Sequence, residues 1–126
     1  MVVPAYKEGA NLTELVKRVF AAFDGAGKEA IQRSQVEMII VDDNSRDGSE
    51  EAVNALAAQG YPVKIIVRTT ERGLSSAVIR GFDEAKGRLL LCMDADLQVR
   101  GTCHNVCIVH GERCVTTCAY VCSMFI

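Results

Sequence analysis

The sequence has no tryptophan, only two prolines and no cysteine before residue 92. Five of its six cysteines fall after residue 102, so a disulfide framework does not describe the first 91 residues. No apolar stretch reaches the roughly 18 to 20 residues that cross a bilayer, and no basic leader precedes an apolar core. Positive charge is not in excess either, because 14 basic and 16 acidic side chains give a net charge of −2. We therefore expect one globular domain with no nucleic-acid partner, no membrane span and no signal peptide.

The first 98 residues alternate short β-branched runs with amphipathic segments, which is typical of βαβ units around a mostly parallel sheet with flanking helices. The four predicted strands are Val2–Val3, Val36–Val41, Val63–Val67 and Arg88–Met93. The three predicted helices are Leu12 to about Asp24, Glu50–Gln59 and Leu74 to about Ala85. The first strand is so short that we expect its beginning to be missing. The fold class is therefore α/β.

Local signals mark the ends of the predicted helices. Asn11 and Glu14 have the spacing of a capping box at the start of the first helix. Leu74 opens the apolar face of the third helix, and we expect it to point inward. Gly60 suits the left-handed residue after the second helix, and Gly87 is expected to close the third.

Polar side chains follow the predicted carboxyl end of every strand. They are Tyr6, Lys7 and Glu8, then Asp42, Asp43 and Asn44, then Arg72, and finally Asp94, Asp96 and Gln98. In an open α/β sheet these ends share one edge, and ligands bind in the crevice outside it. The alternative is that such residues simply form turns, which explains any one group more easily than all four. The pattern favours a ligand site at this edge.

The last of these groups predicts a cation site. Asp94 and Asp96 are separated by one small residue at the end of an apolar strand, and extended geometry points both carboxylates to the same side. Oxygen ligands of this type suit Mg²⁺ or Mn²⁺, and Gln98 adds a neutral oxygen. The D-x-D pattern alone is common in proteins, so the prediction of a cation site depends on its position directly after a strand.

Two other aspartates follow the second strand with different expected roles. We expect Asp43 to face a ligand, where its carboxylate accepts hydrogen bonds from a base or a ribose. Asp47 is expected to stabilise the start of the second helix.

No glycine loop competes for a phosphate group. The G-x-x-x-x-G-K-[ST] pattern is absent, and the G-x-G-x-x-A at residues 25–30 follows a helix where a dinucleotide fingerprint must follow a strand. A bound metal is therefore the favoured means of holding a diphosphate.

Four motifs, in order and at compatible spacing, resemble the family-2 inverting glycosyltransferases with the GT-A fold. They are VPAYKEGANL at 3–12, IVDDNSRDG at 40–48, RGLSSA at 72–77 and MDADLQ at 93–98. Within that family the run looks most like the dolichol-phosphate mannose synthases. Ala5 and Lys7 depart from the Thr and Asn that are common there, which puts Lys7 in doubt as a site residue. The resemblance implies that residues 1–98 are the Rossmann-like nucleotide-sugar-binding half of a GT-A domain.

The resemblance also implies an activity: transfer of mannose from GDP-mannose to dolichyl phosphate at the cytosolic face of the endoplasmic reticulum membrane. It implies membrane regulatory subunits as further partners. The implied nucleotide contacts are Pro4, Tyr6, Glu8, Asp43 and Arg72; the implied catalytic residues are Asp94 and Asp96, which with Gln98 hold Mg²⁺ or Mn²⁺. An acceptor phosphate is already anionic and needs no strong general base, which agrees with the lack of histidine in the first 98 residues.

Three other functions stay open at this point. The chain could be a nucleotide-sugar-binding fragment without turnover, or a polyprenyl-phosphate hexosyltransferase that uses UDP-glucose. The third alternative is a small interaction module stabilised by zinc, whose ligands would come from residues 99–126.

Residues 99–126 form a tail that breaks the pattern, with five cysteines, both histidines and three charged side chains. We expect this tail to be irregular, non-family sequence, as from a truncated gene model. Incidental cysteines are the favoured interpretation, and disulfides rank lowest. The zinc alternative uses several ligand types at x3 spacings, namely Cys103, His104, Cys107, His110, Cys114, Cys118 and Cys122.

Overall fold

The computed structural model describes residues 1–25 and 31–95, and the backbone of residues 107–110 and 113–115. Its strands are β1 (Val2–Ala5), β2 (Met38–Asp42), β3 (Val63–Val67), β4 (Leu89–Cys92), β5 (Cys107–His110) and β6 (Arg113–Val115). Its α-helices are α1 (Gly9–Asp24), α2 (Ser49–Ala58) and α3 (Leu74–Glu84), and a 3₁₀ turn spans Arg33–Gln35.

The strands form one sheet in the order β3-β2-β1-β4-β5-β6. The first four are parallel to one another, with β2 fully paired to both β1 and β3. Strand β4 joins β1 through the pair Val2 and Cys92, and the Met93 amide donates to the Val2 carbonyl at 3.0 Å. The predicted α/β fold with a mostly parallel sheet and flanking helices is confirmed.

The described part of the tail adds two antiparallel strands to the sheet, β5 on β4 and β6 on β5. We expected an irregular tail because this stretch shows no side-chain period. Strand pairing requires only backbone amides and carbonyls, so it can form without that signal. The tail side chains proposed as zinc ligands lie outside the described residues, and the zinc alternative stays a prediction.

The sheet is covered on both faces, and the alternation of side chains along each strand decides which residues go where. Val3 and Ile40 point to the face packed by α1 and α2, where the buried cluster includes Leu12, Val16 and Phe20. Val2, Ile39 and Val41 point to the other face, which packs on Ala77 of α3. The near-continuous apolar sequence of β2 follows from this burial on both sides, and all five of its residues are buried.

Two helix predictions were wrong at the amino end. Helix α1 begins at Gly9, two residues before the predicted cap, and Asn11 donates to the Glu8 carboxylate at 2.6 Å instead of capping the helix. Leu74, the first residue of α3, is 65% exposed instead of pointing inward, and the buried residues of this helix begin one turn later at Ala77. Gly60 adopts the expected left-handed conformation, with φ of 89°, whereas α3 ends at Glu84 before Gly87 is reached.

Among the described helices, none combines the length and apolarity that a membrane crossing requires.

Helix α3 approaches the sheet closely at Gly81. A Cβ atom there would lie 2.3 Å from Cγ1 and 3.0 Å from Cγ2 of Val2, a side chain with no exposed surface. The lack of a side chain at residue 81 therefore sets the distance between α3 and β1.

We predict that Gly81→Ala destabilises the protein although alanine favours helix by about 1 kcal/mol. Overpacking costs about 1 to 3 kcal/mol, and the 2.3 Å approach to Val2 places the cost in the upper half of that range, so the net loss should be about 1 to 2 kcal/mol in urea unfolding. The matched control is Gly25→Ala, which should be nearly neutral because its Cβ would meet the Ala21 carbonyl at 3.4 Å and the Ala22 carbonyl at 3.9 Å. Adding Val2→Ala should relieve part of the loss, and strictly additive costs would contradict the close approach.

Candidate functional site

The carboxyl ends of the parallel strands meet at one edge of the sheet. Ala5 pairs with Asp42, and Asp42 pairs with Val67, so the loops after β1, β2 and β3 leave the sheet side by side. Asp94 follows β4 at the same edge. The strand order reverses between β1 and β4, and in open α/β sheets such a switch point opens the crevice that binds ligands. We call the residues at this edge, 4–9, 42–49, 68–76 and 93–95, the carboxyl-edge site.

Asp43 is buried in this site and bound on both oxygens. Oδ1 accepts from Nε of Arg68 at 2.7 Å and also from Nη2 of the same guanidinium. Oδ2 accepts from the Gly73 amide at 2.8 Å. The carboxylate therefore joins the end of β2 to both ends of the loop between β3 and α3.

Arg68 is the functional candidate that sequence reasoning missed. Besides Asp43, it donates from Nη2 to the Gly73 carbonyl at 2.9 Å and from Nη1 to Ser76 Oγ at 2.8 Å. Its side chain is only 6% exposed, and Glu71 lies 3.7 Å from Nη1. The available signal in the sequence was its position directly after β3. The cation predicted for that strand end was instead Arg72.

Asp42 connects the loop after β2 to the loop after β1. Its carboxylate accepts from the Ser45 amide at 2.8 Å and from the Ser45 hydroxyl. The hydroxyl oxygen of Ser45 in turn accepts from the Lys7 amide at 2.8 Å. This chain of hydrogen bonds fixes the loop that carries Tyr6 and Lys7.

Asp47 links the starts of two helices. It accepts from the Gly9 amide at 2.9 Å, and from the amide and hydroxyl of Ser49 at 3.1 and 2.5 Å. The hydroxyl of Ser49 is the main cause that lowers the pKa of Asp47 below 3.8, and the backbone amides of Gly9 and Ser49 lower it further. The expected structural role at the start of α2 is thus present, and α1 shares it.

Three residues other than glycine adopt left-handed backbone conformations in these loops: Lys7, Asn44 and Arg46, with φ of 60°, 57° and 52°. Each such residue costs on the order of 1 kcal/mol, so the surrounding contacts must hold it in place. Strained residues of this kind concentrate where a loop presents groups to a ligand.

The predicted nucleotide contacts occupy different depths of the site. Pro4 is buried in β1, Tyr6 is 49% exposed with the Lys7 ammonium 5.4 Å from its ring centre, and Glu8 is partly buried. Arg72 is exposed and precedes Gly73, the residue whose amide binds Asp43. The structure therefore brings all five to one edge, with Asp43 at its buried end.

The predicted metal site is described in part. Asp94 is exposed at the end of β4, while Asp96 and Gln98 lie outside the described residues. Within the part that is described, no group of three His, Cys, Asp or Glu residues converges on a cation. The predicted ligands Asp94, Asp96 and Gln98 all offer oxygen atoms, which fits Mg²⁺ or Mn²⁺. Asp94 follows β4, which lies next to β1 at the switch point.

With this geometry in place, comparison with known proteins identifies the family. The model of glycosyl transferase family 2 matches residues 1–108. This chain belongs to glycosyl transferase family 2. The match runs past residue 98, where the motifs of the sequence end, and reaches β5.

Two similar relatives are fungal enzymes. The dolichol-phosphate mannosyltransferases of Mycosarcoma maydis and Saccharomyces cerevisiae are each 58% identical over 98 residues, or 78% of this chain. Those residues make up 33% and 35% of the two relatives, so the chain spans about a third of their length.

A similar solved structure is the mannosyltransferase of Pyrobaculum calidifontis in complex with GDP-Man and Mn²⁺. It superposes with a TM-score of 0.63 at 26% identity, over 75% of this chain and 26% of that one. The shared region is the parallel sheet with its flanking helices.

The hydrogen bonds to Asp47 predict a defined dependence of stability on pH. Because the pKa is lowered in the folded state, the stabilisation is complete above about pH 5 and is lost as the pH falls through 3.8 and then through the lower folded value. Asp47→Asn should remove this contribution, so its urea midpoint should fall less steeply below pH 5 than that of the wild type. Asp83→Asn controls for the loss of one negative charge.

Ser49→Ala removes the largest cause of the lowered pKa and should give an intermediate slope. Parallel slopes for the wild type and Asp47→Asn between pH 5 and the acid transition would contradict this assignment.

Proposed function

We propose that this chain is the donor-binding part of a glycosyltransferase that transfers mannose from GDP-mannose to dolichyl phosphate. The observation that carries the proposal is the carboxyl-edge site, where groups from four strand ends and the start of α3 lie on one side of a parallel sheet. The 58% identity to two dolichol-phosphate mannosyltransferases over 78% of this chain supports it as well. In this proposal residues 1–98 are the nucleotide-sugar part and residues 99–126 are a separate tail.

The nucleoside half of the proposed site lies over β1 and β2. Tyr6 offers an exposed ring on which a base can stack, and Asp43 offers a carboxylate that accepts from a base or ribose. Arg72 adds an exposed guanidinium at the same edge, whose N–H groups can donate to acceptor oxygens of a base or ribose. Pro4 and Glu8 shape the loop between them, since Pro4 is buried in β1 and Glu8 binds Asn11.

The diphosphate half lies beyond β4. Asp94, with Asp96 and Gln98, would hold Mg²⁺ or Mn²⁺ and are the proposed catalytic residues. When bound, such an ion would neutralise the negative charge that develops on the departing nucleoside diphosphate. The acceptor phosphate is anionic and attacks the anomeric carbon without a base from this chain.

The acceptor sets the proposed location. Dolichyl phosphate is a membrane lipid, so the reaction takes place at a membrane surface, which we propose is the cytosolic face of the endoplasmic reticulum. Membrane regulatory subunits are proposed as partners there. Support for this location comes from the acceptor chemistry and from the names of the fungal relatives.

The decisive measurement is calorimetric titration of the chain with GDP, with and without Mn²⁺. We expect GDP to bind more tightly with Mn²⁺, and the double variant Asp94→Asn and Asp96→Asn to lose this gain while keeping the metal-independent part. The exposed Asp83→Asn variant, which removes one negative charge away from the carboxyl-edge site, is the control and should behave as the wild type.

Other outcomes separate the alternatives. Tighter binding of UDP than of GDP would replace the donor by a UDP-sugar, and absence of binding to either would reject the proposal. Mannosyl transfer to a short polyprenyl phosphate tests turnover, and nucleotide binding without transfer would favour a binding fragment.

A further inference from the structure

The hydrogen bonds around Asp43 leave a specific part of its carboxylate free. A carboxylate oxygen accepts about two hydrogen bonds, so the carboxylate as a whole accepts about four. Oδ1 receives two donors from Arg68, whereas Oδ2 receives one donor, from the Gly73 amide, among the residues that the structure describes. One acceptor position on Oδ2 therefore has no donor among the described residues.

The Arg68 guanidinium determines the direction in which this acceptor position of Asp43 points. Its planar fork binds one oxygen of Asp43 through two nitrogens and so fixes the position of that oxygen, while the Gly73 amide on the other oxygen fixes the rotation of the carboxylate. The pair is buried, with side-chain exposures of 6% for Arg68 and 10% for Asp43. Water therefore competes little with these bonds, and the arrangement is rigid.

Arg68 also fixes the loop that carries Arg72. The Gly73 carbonyl accepts from Arg68 Nη2 at 2.9 Å, from Ser76 Oγ at 3.1 Å and from the Ala77 amide at 3.0 Å. Gly73 has φ of 126°, a conformation that side chains disfavour. Arg68 and Gly73 thus close residues 69–72 into a loop whose two ends are in contact, with Arg72 at its exposed side.

We propose that Arg68 is a positioning residue of the nucleotide site: it orients the open acceptor position of Asp43 and the loop bearing Arg72 toward the nucleoside. This inference rests on the proposed function. It assigns Arg68 no contact with the nucleotide, since four of its donor contacts are to protein groups.

The test uses Arg68→Lys, which keeps the charge and removes the fork. We expect the Kd for GDP without metal to rise about tenfold, the effect of one misplaced hydrogen bond to a charged group. Binding of pyrophosphate with Mn²⁺, which uses the Asp94 end of the site, should stay within about twofold, well below the change expected for GDP. Arg80→Lys is the matched control, because Arg80 lies on the exposed side of α3 and pairs with Glu84.

A purely structural role for Arg68 would weaken both ligands together, and that result would overturn the proposal. Unchanged GDP binding by Arg68→Lys would overturn it as well, while leaving the proposed function intact. Absence of GDP binding by the wild type would instead reject the proposed function and the positioning role with it.

If circular dichroism shows that Arg68→Lys is unfolded, Ser76→Ala takes its place. This variant removes one of the groups that hold the guanidinium and keeps the buried ion pair. We expect GDP to bind about threefold more weakly, with pyrophosphate and Mn²⁺ unaffected, since a single neutral hydrogen bond is lost. Equal GDP binding by Ser76→Ala and the wild type would overturn the proposal.

Discussion

The loops at the carboxyl edge depend on three aspartates that come from one segment of the chain, residues 42–47. Asp42 holds Ser45 and through it the Lys7 amide, Asp43 holds Arg68 and Gly73, and Asp47 holds Gly9 and Ser49. The carboxylates supply acceptors for the backbone amides of Lys7, through Ser45, and of Gly9 and Gly73, so the shape of the edge over β1, β2 and β3 follows from the end of β2.

The ion pair of Asp43 and Arg68 contributes to the conformation of this edge more than to the stability of the fold. Removing two charges from water is costly, and a buried pair contributes little net stability compared with apolar residues of the same size. Loss of one partner, by contrast, leaves an uncompensated buried charge. The pair therefore restricts the loop between β3 and α3 to one arrangement, and its value to the protein lies in that restriction more than in the free energy of folding.

Sequence reasoning predicted what depends on local pattern. Strand β3 has the predicted bounds, and α1 has the predicted apolar face, because burial of alternate or helically spaced residues is written into the sequence. The start of α1 was missed because Asp47, which binds the Gly9 amide, lies 38 residues away. Arg68 was missed for a related reason: nothing in its neighbours along the chain shows that Asp43 will meet it.

The edge divides into two halves that are held by different means. The half over β1, β2 and β3 is organised by the carboxylates of residues 42–47, whereas Asp94 follows β4, which joins β1 through the Val2 and Cys92 pair. No hydrogen bond or ion pair between described residues joins Asp94 to the 42–47 segment. Among the described residues, the two halves are connected through the sheet and not through side chains of the 42–47 segment. Substitutions can therefore alter contacts with a nucleoside without altering contacts with a metal-bound diphosphate. A donor that carries both groups would be the ligand that couples them.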